Sequence, residues 1–392
     1  MHERKQLVYR VLEDQLTIAA AAREAGVSRQ TAQLWVQRGR AGGLEQLAEK
    51  SRAPRRRTRR TAPEVEAEVL EFKRQHPVWG AKKIVARLWP GTVVGQSGPP
   101  SPVTVRTVDR ILARHDLVQR RVARQKVWRR FERAASNELW QMDFKGMGRG
   151  GPGYWPLTIM DDHSRYCLCF APVEQQTSAL VMAELWRVFG EVGLPEVILT
   201  DNGSCFSGTW GDGISWLESQ LWLLGIGTRQ GAPYHPQTQG KVERLHRTAE
   251  EELQGGLRQA TAELARPLYE RVIHTYNWER PHESLQMRVP GNVYVVSPRR
   301  RPARVPAHEI PAGALKRKVQ PNGDICYGGN VYRISKGLAG QWVELREFNA
   351  TVTAHFAGRE LGHLDQRRKR VITARAARQA RAASSEEPPT CI

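Results

Sequence analysis

Glu196-Val197-Ile198-Leu199-Thr200-Asp201-Asn202-Gly203-Ser204 is the stretch whose reading decides the fold. Consecutive Val, Ile and Leu read as a short buried strand, and Asn-Gly-Ser reads as the turn that ends it. Asp201 is thereby delivered at the carboxyl end of a strand, where ligands bind in open α/β sheets. Upstream, Leu180, Val181, Leu185, Val188 and Phe189 recur at helical spacing and predict a helix over 178–192. Before that helix lie three apolar runs, 139–144, 155–160 and 166–170, joined by short turns, which predict an antiparallel meander. The order β-β-β-α-β predicts a layered α/β core.

Two more carboxylates stand out. Asp143 lies inside the first predicted strand between Met142 and Phe144, so if those two face one side, it faces the other. A carboxylate inside an apolar strand is costly unless its charge is neutralised, and a bound cation does that. Glu243 lies in Gly240-Lys241-Val242-Glu243-Arg244-Leu245-His246-Arg247, where a Gly/Pro-rich loop gives way to a helix packed through Val242, Leu245 and Ala249. Taken alone, Glu243 reads as half of an ordinary i,i+4 ion pair with Arg247.

The chain has 392 residues, enough for two to four domains. Its 60 Lys and Arg against 40 Asp and Glu give a formal charge of +20, which points to a polyanionic partner. The charge is +16 over residues 1–137, −6 over 138–290 and +10 over 291–392. Basic flanks around an acidic centre suit arms that hold nucleic acid and a middle that does metal-assisted chemistry. Five cysteines without CxxC or zinc-finger spacing predict neither a disulfide framework nor structural zinc. No signal-peptide core follows Met1-His2-Glu3-Arg4-Lys5 and no early apolar run nears the roughly 20 residues that span a bilayer. A cytoplasmic, nucleoid-associated protein with no membrane partner is expected.

The first basic arm reads as two helix-turn-helix units. In residues 1–49, an apolar-periodic stretch over 7–16 and an Ala-rich one are followed by Gly26 as the turn and Ser28 as N-cap, with Leu34 and Trp35 supplying the packing face. Arg29, Gln30, Thr31 and Gln33 would then face a major groove. An Arg-rich linker, 50–61, offers Arg55, Arg56, Arg57, Arg59 and Arg60 to phosphates. Residues 62–117 repeat the logic, with helices over 64–75 and 81–88 and a third opened by Pro102 and running to Arg114. That third helix would turn Thr104, Arg106 and Thr107 outward. A basic connector, 118–136, leads to the core at 137–290.

Here the residues carry a resemblance. Leu139-Trp140-Gln141-Met142-Asp143, Leu199-Thr200-Asp201-Asn202-Gly203-Ser204, and Tyr234-His235-Pro236-Gln237-Thr238-Gln239-Gly240-Lys241-Val242-Glu243-Arg244 together resemble the integrase-core DDE transposases of bacterial insertion sequences, relatives of retroviral integrases. Asp162-His163-Ser164-Arg165 resembles that family's hairpin between the second and third strands. Tyr276-Asn277, Arg280-Pro281-His282 and Ser284-Leu285 resemble its post-catalytic helix ending.

The resemblance implies a multidomain architecture: N-terminal all-α helix-turn-helix units, a central ribonuclease H-like α/β core and a small C-terminal β-barrel. It implies that Asp143, Asp201 and Glu243 converge on two Mg²⁺ (or Mn²⁺) ions, with Asp143 bridging both. The activity implied is that of a transposase. Water frees a 3′-hydroxyl at each transposon end, and that hydroxyl then attacks target DNA in the same site. Double-stranded DNA and further copies of the chain are the implied partners, with Lys241, Arg244 and Arg247 gripping the scissile strand and His235 and Gln237 shaping the loop above it. One departure is that 41 residues separate Asp201 from Glu243, longer than is usual in that family. We place the excess in a loop insertion at 208–220, which leaves Glu218 as a weaker competitor for the third position. No other cofactor is implied: the Walker spacing is absent around Gly240-Lys241, and Pro281-His282-Glu283 is no HExxH site.

After a Pro/Arg-rich linker, 291–315, five strand-like runs between 316 and 365 are separated by Asn-Gly and Gly-Gly turns and predict the barrel. Residues 366–392 read as a disordered basic tail. Two other functions fit parts of this pattern: a catalytically silent DNA-binding regulator derived from a transposase, and a ribonuclease H-like nuclease that cuts without joining. The intact set of three carboxylates speaks against the first, and the two sequence-reading units against the second.

Overall fold

In the computed structural model, three helices open the chain: α1 (His2–Leu12), α2 (Ile18–Glu24) and α3 (Arg29–Gly42). The residues described are 2–48, 61–118, 132–147, 151, 153–201, 203, 205–206, 213–231, 240–253, 256, 258–259, 261–349, 351–365, 367 and 369–372. Thr17 and Ser28 cap α2 and α3, each hydroxyl accepting a first-turn N–H that would otherwise lack a partner. Gly26, at φ +63°, makes the turn between them. The packing face differs from expectation: α3 buries Ala32, Val36 and Gly39, whereas Leu34 is exposed. Gly39 has to be small, since a Cβ there would lie 2.5 Å from Val8 Cγ1. The first helix also stops earlier than expected, at Leu12. These elements form one compact unit, Met1–Ala62, and residues Pro63–Ile392 form a second.

The second unit begins with α4 (Pro63–Gln75), α5 (Ala81–Leu88) and α6 (Val105–Arg114), wrapped around Trp79, Ile84, Val108 and Ile111. Pro102 does not open α6 as expected; Thr104 is its N-cap, accepting from the Thr107 N–H at 3.3 Å.

A mixed five-stranded sheet follows, built from β1 (Trp140–Phe144), β2 (Trp155–Asp161), β3 (Cys167–Val173), β4 (Val197–Thr200) and β5 (Gly227–Gln230) in the order β3-β2-β1-β4-β5. The first three strands are antiparallel, whereas β1–β4 and β4–β5 pair in parallel. One face packs Trp140, Met142, Leu157 and Ile159 against α7 (Ser178–Val192) and α8 (Trp216–Leu223). The other packs Met160, Cys167 and Phe170 against α9 (Gly240–Glu252) and α10 (Ala262–His274). Helices on both faces of this sheet give the ribonuclease H-like arrangement. The expected loop insertion is corrected, because its last five residues, from Trp216, are the start of α8. Ser215 and Glu218 form a capping box there, which commits the Glu218 carboxylate to the Ser215 N–H at 2.9 Å.

Among the described residues, the C-terminal region holds seven strands: β6 (Lys316–Lys318), β7 (Asp324–Tyr327), β8 (Asn330–Arg333), β9 (Trp342–Phe348), β10 (Thr351–Phe356), β11 (Arg359–Asp365) and β12 (Arg370–Ile372). Their order, β6-β9-β10-β11-β12-β8-β7, curls toward a barrel around Val343, Ala354 and Phe356. β11 and β12 were not among the expected strands, and β12 falls within the stretch read as a disordered tail; the rest of that stretch from 373 lies outside the described residues. This sheet docks on the entry to α8, where the Ser335 hydroxyl donates to the Ile214 carbonyl at 2.6 Å. Among the described residues no helix is long and apolar enough to cross a membrane.

Candidate active site

Parallel pairing puts Met142 opposite Thr200, so the next residues, Asp143 on β1 and Asp201 just past β4, leave neighbouring strand ends. Asp201 folds back on its own turn, its Oδ1 accepting the Gly203 N–H at 2.9 Å. Asp143 is half-buried, and burial raises its carboxyl to about 7. The negative charge of Asp201 adds to that rise, a hydrogen bond from the Phe144 backbone opposes it, and Glu243 adds a smaller increment. Glu243 projects from the first turn of α9, exposed, while Val242, Leu245 and Ala249 are buried as anticipated. Among the described residues it forms no ion pair with Arg247. The three carboxylates therefore share one electrostatic neighbourhood. Among the described residues, no group of three His, Cys, Asp or Glu side chains is drawn together as a ready metal cluster.

Helix α9 is fixed to the sheet from beneath. His246 meets the Thr158 hydroxyl on β2 at 2.7 Å, and burial, with the nearby Lys145 charge, pushes its ring down to about 3, so it is neutral. Lys145, one residue past β1, pairs with Glu250 at 2.8 Å. At its far end Glu252 accepts from both Trp79 and Arg280, each at 2.8 Å, tying the second helix-turn-helix domain to α9. Asn277 explains part of the Tyr-Asn motif: its amide binds the Cys167 N–H at 2.9 Å and the Cys167 carbonyl at 2.8 Å.

The expected DNA contacts divide. Arg29, Gln30, Gln33, Thr104, Arg106, Arg244 and Arg247 are exposed. Thr31 is occupied with Ser28, hydroxyl to hydroxyl at 2.8 Å, and Thr107 with Thr104 at 3.0 Å. Lys241 does not face solvent as a free cation; it is paired with Asp162 on the β2–β3 turn. Arg55, Arg56, Arg57, Arg59, Arg60, His235 and Gln237 lie outside the described residues. Asp162 and Gln141, which sequence reasoning passed over as functional, join this site; only the Asp-His-Ser-Arg motif hinted at the former.

Two models of an integrase core domain match the chain, over residues 133–236 and 224–290. Residues 133–290 of the chain thus carry an integrase core domain. A homeodomain-like domain matches residues 31–112 and a helix-turn-helix domain residues 3–55, ahead of the integrase core. The chain is 34% identical over 116 residues to the Pol polyprotein of Radiation murine leukemia virus (strain Kaplan), covering 29% of this chain and 19% of that one. The same identity and length relate it to the Gag-Pol polyprotein of Baboon endogenous virus (strain M7), covering 6% of it. The chain thus spans a fifth or less of these relatives. Among solved structures, the catalytic core domain of BIV integrase aligns with a TM-score of 0.32 at 22% identity, covering 40% of this chain and 93% of that one.

Proposed function

We propose that the chain is a DNA transposase that cuts transposon ends to expose 3′-hydroxyls and joins them to target DNA. The observation that carries this is the placement of Asp143 and Asp201 at adjacent parallel strand ends, within electrostatic reach of Glu243. The donors are all oxygen and the Asp143 carboxyl is destabilised as an anion by burial first and by the Asp201 and Glu243 charges after it, which suits hard divalent cations, Mg²⁺ or Mn²⁺. Asp143, Asp201 and Glu243 would hold them, two in number. Bound there, such ions assist attack on, and departure from, a phosphodiester in line.

In cleavage, water displaces the 3′ oxygen at the transposon end; in joining, that 3′-hydroxyl displaces one strand of the target, so the number of phosphodiesters is conserved. Asp201, held by its own turn, and Glu243, carried on the pinned α9, would complete the site with Asp143. Arg244 and Arg247 offer charge to the phosphate backbone beside it, and Arg29, Gln30, Gln33 and Arg106 present exposed groups to base edges or phosphates. Holding two ends and a target calls for more than one copy of the chain.

The test is incubation of the purified full chain with labelled duplex carrying the element's own end and with supercoiled target, in Mg²⁺ or Mn²⁺, beside Asp201→Asn. Metal-dependent cleavage and joining that vanish in the variant are expected. Tight, specific duplex binding with no product from either protein would overturn the proposal in favour of a silent regulator.

A further inference from the structure

Asp162 is completely buried, and its oxygens are held from three directions. Oδ1 accepts from Gln141 Nε2 at 2.7 Å and pairs with the Lys241 ammonium, which also reaches the Asp162 carbonyl at 3.2 Å. Oδ2 accepts the Arg133 backbone N–H at 2.8 Å. Gln141 precedes Asp143 by two residues on β1, and Lys241 precedes Glu243 by two on α9. Arg133 belongs to the chain entering the core from the second helix-turn-helix domain, and the same entry is held by Arg165 on Glu132 at 3.0 Å and His163 on the Arg133 carbonyl at 2.9 Å. One carboxylate thus joins the strand of the first acidic residue, the helix of the third and the incoming connector.

The first turn of a helix lacks half of its backbone hydrogen bonds, so its position depends on side-chain anchors. Glu243 sits in that turn, and Val242 and Lys241 are the anchors beside it. A buried ion pair adds little net stability over an apolar pair of the same shape, so orientation is the better account of its presence.

We propose that Asp162 and Lys241 are positioning residues that hold Glu243 in register with Asp143 and Asp201, and that Lys241 serves this role in place of a DNA contact. The inference rests on the transposase reading for its kinetic consequence and on the structure alone for its effect on the carboxylate site.

The experiment compares Lys241→Met, Lys241→Arg, Asp162→Asn and the Met/Asn double variant in the full chain. Three quantities are read: single-turnover cleavage and joining, affinity for the end duplex across a salt series, and Mn²⁺ affinity of the DNA-free protein by electron paramagnetic resonance. Lys241→Met and Asp162→Asn should each lower the rate and the Mn²⁺ affinity by about 10- to 100-fold. Duplex affinity and its salt slope should stay unchanged, the double variant should lose no more than either single one, and Lys241→Arg should recover most of the loss. A salt slope reduced by about one in Lys241→Met would make it a phosphate contact and overturn the proposal. Unchanged Mn²⁺ affinity, additive losses, or a wild type that binds no Mn²⁺ would overturn it too. A wild type that binds Mn²⁺ but neither cuts nor joins DNA would sink the transposase reading, while the Mn²⁺ comparison would still decide the positioning claim.

Discussion

Replacing Asn277 by Leu should loosen the edge of the core sheet by a calculable amount. β3 is the outer strand on its side, so the Cys167 N–H and C=O that point away from β2 have no neighbouring strand to pair with. The Asn277 amide takes the place of that strand, accepting at 2.9 Å and donating at 2.8 Å. Both residues are buried, with Asn277 1% and Cys167 2% exposed, so water cannot substitute. Leaving a buried donor or acceptor unmade costs about 1–3 kcal/mol each, and two are lost here, for a total of about 2–6 kcal/mol. At 1.4 kcal/mol per tenfold, that is a roughly 30- to 20,000-fold loss of protection. Native-state hydrogen exchange is the suitable assay, because a multidomain chain does not unfold in one step whereas exchange reports each segment's own opening. The amides of β3 should lose protection by that factor while those of β9 and β10 do not change. A loss below threefold at Cys167 would show that the amide bridge is dispensable and refute the reasoning.

Acid should weaken the core through His246. Its ring is near 3 in the folded chain and about 6.5 unfolded, so below pH 6.5 the unfolded state binds a proton that the native state refuses, and stability falls as pH drops toward 3 by up to about 1.4 kcal/mol per unit. Thermal melts between pH 7 and 4 should decline more steeply in the wild type than in His246→Gln; parallel curves would contradict this. Glu252→Gln leaves the largely buried Arg280 guanidinium without its carboxylate, at a cost of about 3–5 kcal/mol, and faster amide exchange in α5 and around Arg280 is the expected sign. Gly337→Ala would drive a Cβ to within 2.2 Å of the Ile214 carbonyl; a loss of about 1–3 kcal/mol and faster exchange at Ile214, with the interior of the C-terminal sheet unaltered, should follow.

What the sequence made legible follows from its periodicities. β1 to β4 and α7 were readable because apolar runs ended at clear turn residues and one helical face carried the Leu, Val and Phe. The run Trp216-Leu217-Glu218-Ser219-Gln220-Leu221-Trp222-Leu223 hid α8, because apolar residues ring it on all sides and a Gly-rich stretch precedes it. β5, Gly-Thr-Arg-Gln, shows no alternation at all; its place is set by parallel pairing with β4. Asp143, Asp201 and Glu243 are singled out by local motifs, whereas the neighbouring strand ends of the first two come from pairing, which no local window encodes. Asp162 was illegible as a hub because its side-chain partners stand 21, 29 and 79 residues away, and no spacing rule links an aspartate in a turn to a lysine that far along. The Lys241 pairing was hidden for the same reason: an isolated cation near a carboxylate motif looks available until its buried partner, Asp162, is seen.

The parallel pairing of β12 with β8 sets an order on how the last domain can be made. β8 and β11 both wait for residues 370–372, so during synthesis the four strands β6, β9, β10 and β11 can zip together, while the closing seam stays open until those residues have emerged. A chain terminated or tagged just after Asp365 would carry two unpaired strand edges into the cell, each a template for another copy's strand. Truncation of a few residues at that point is then a route to self-association, and expression designs should keep the chain through Ile372.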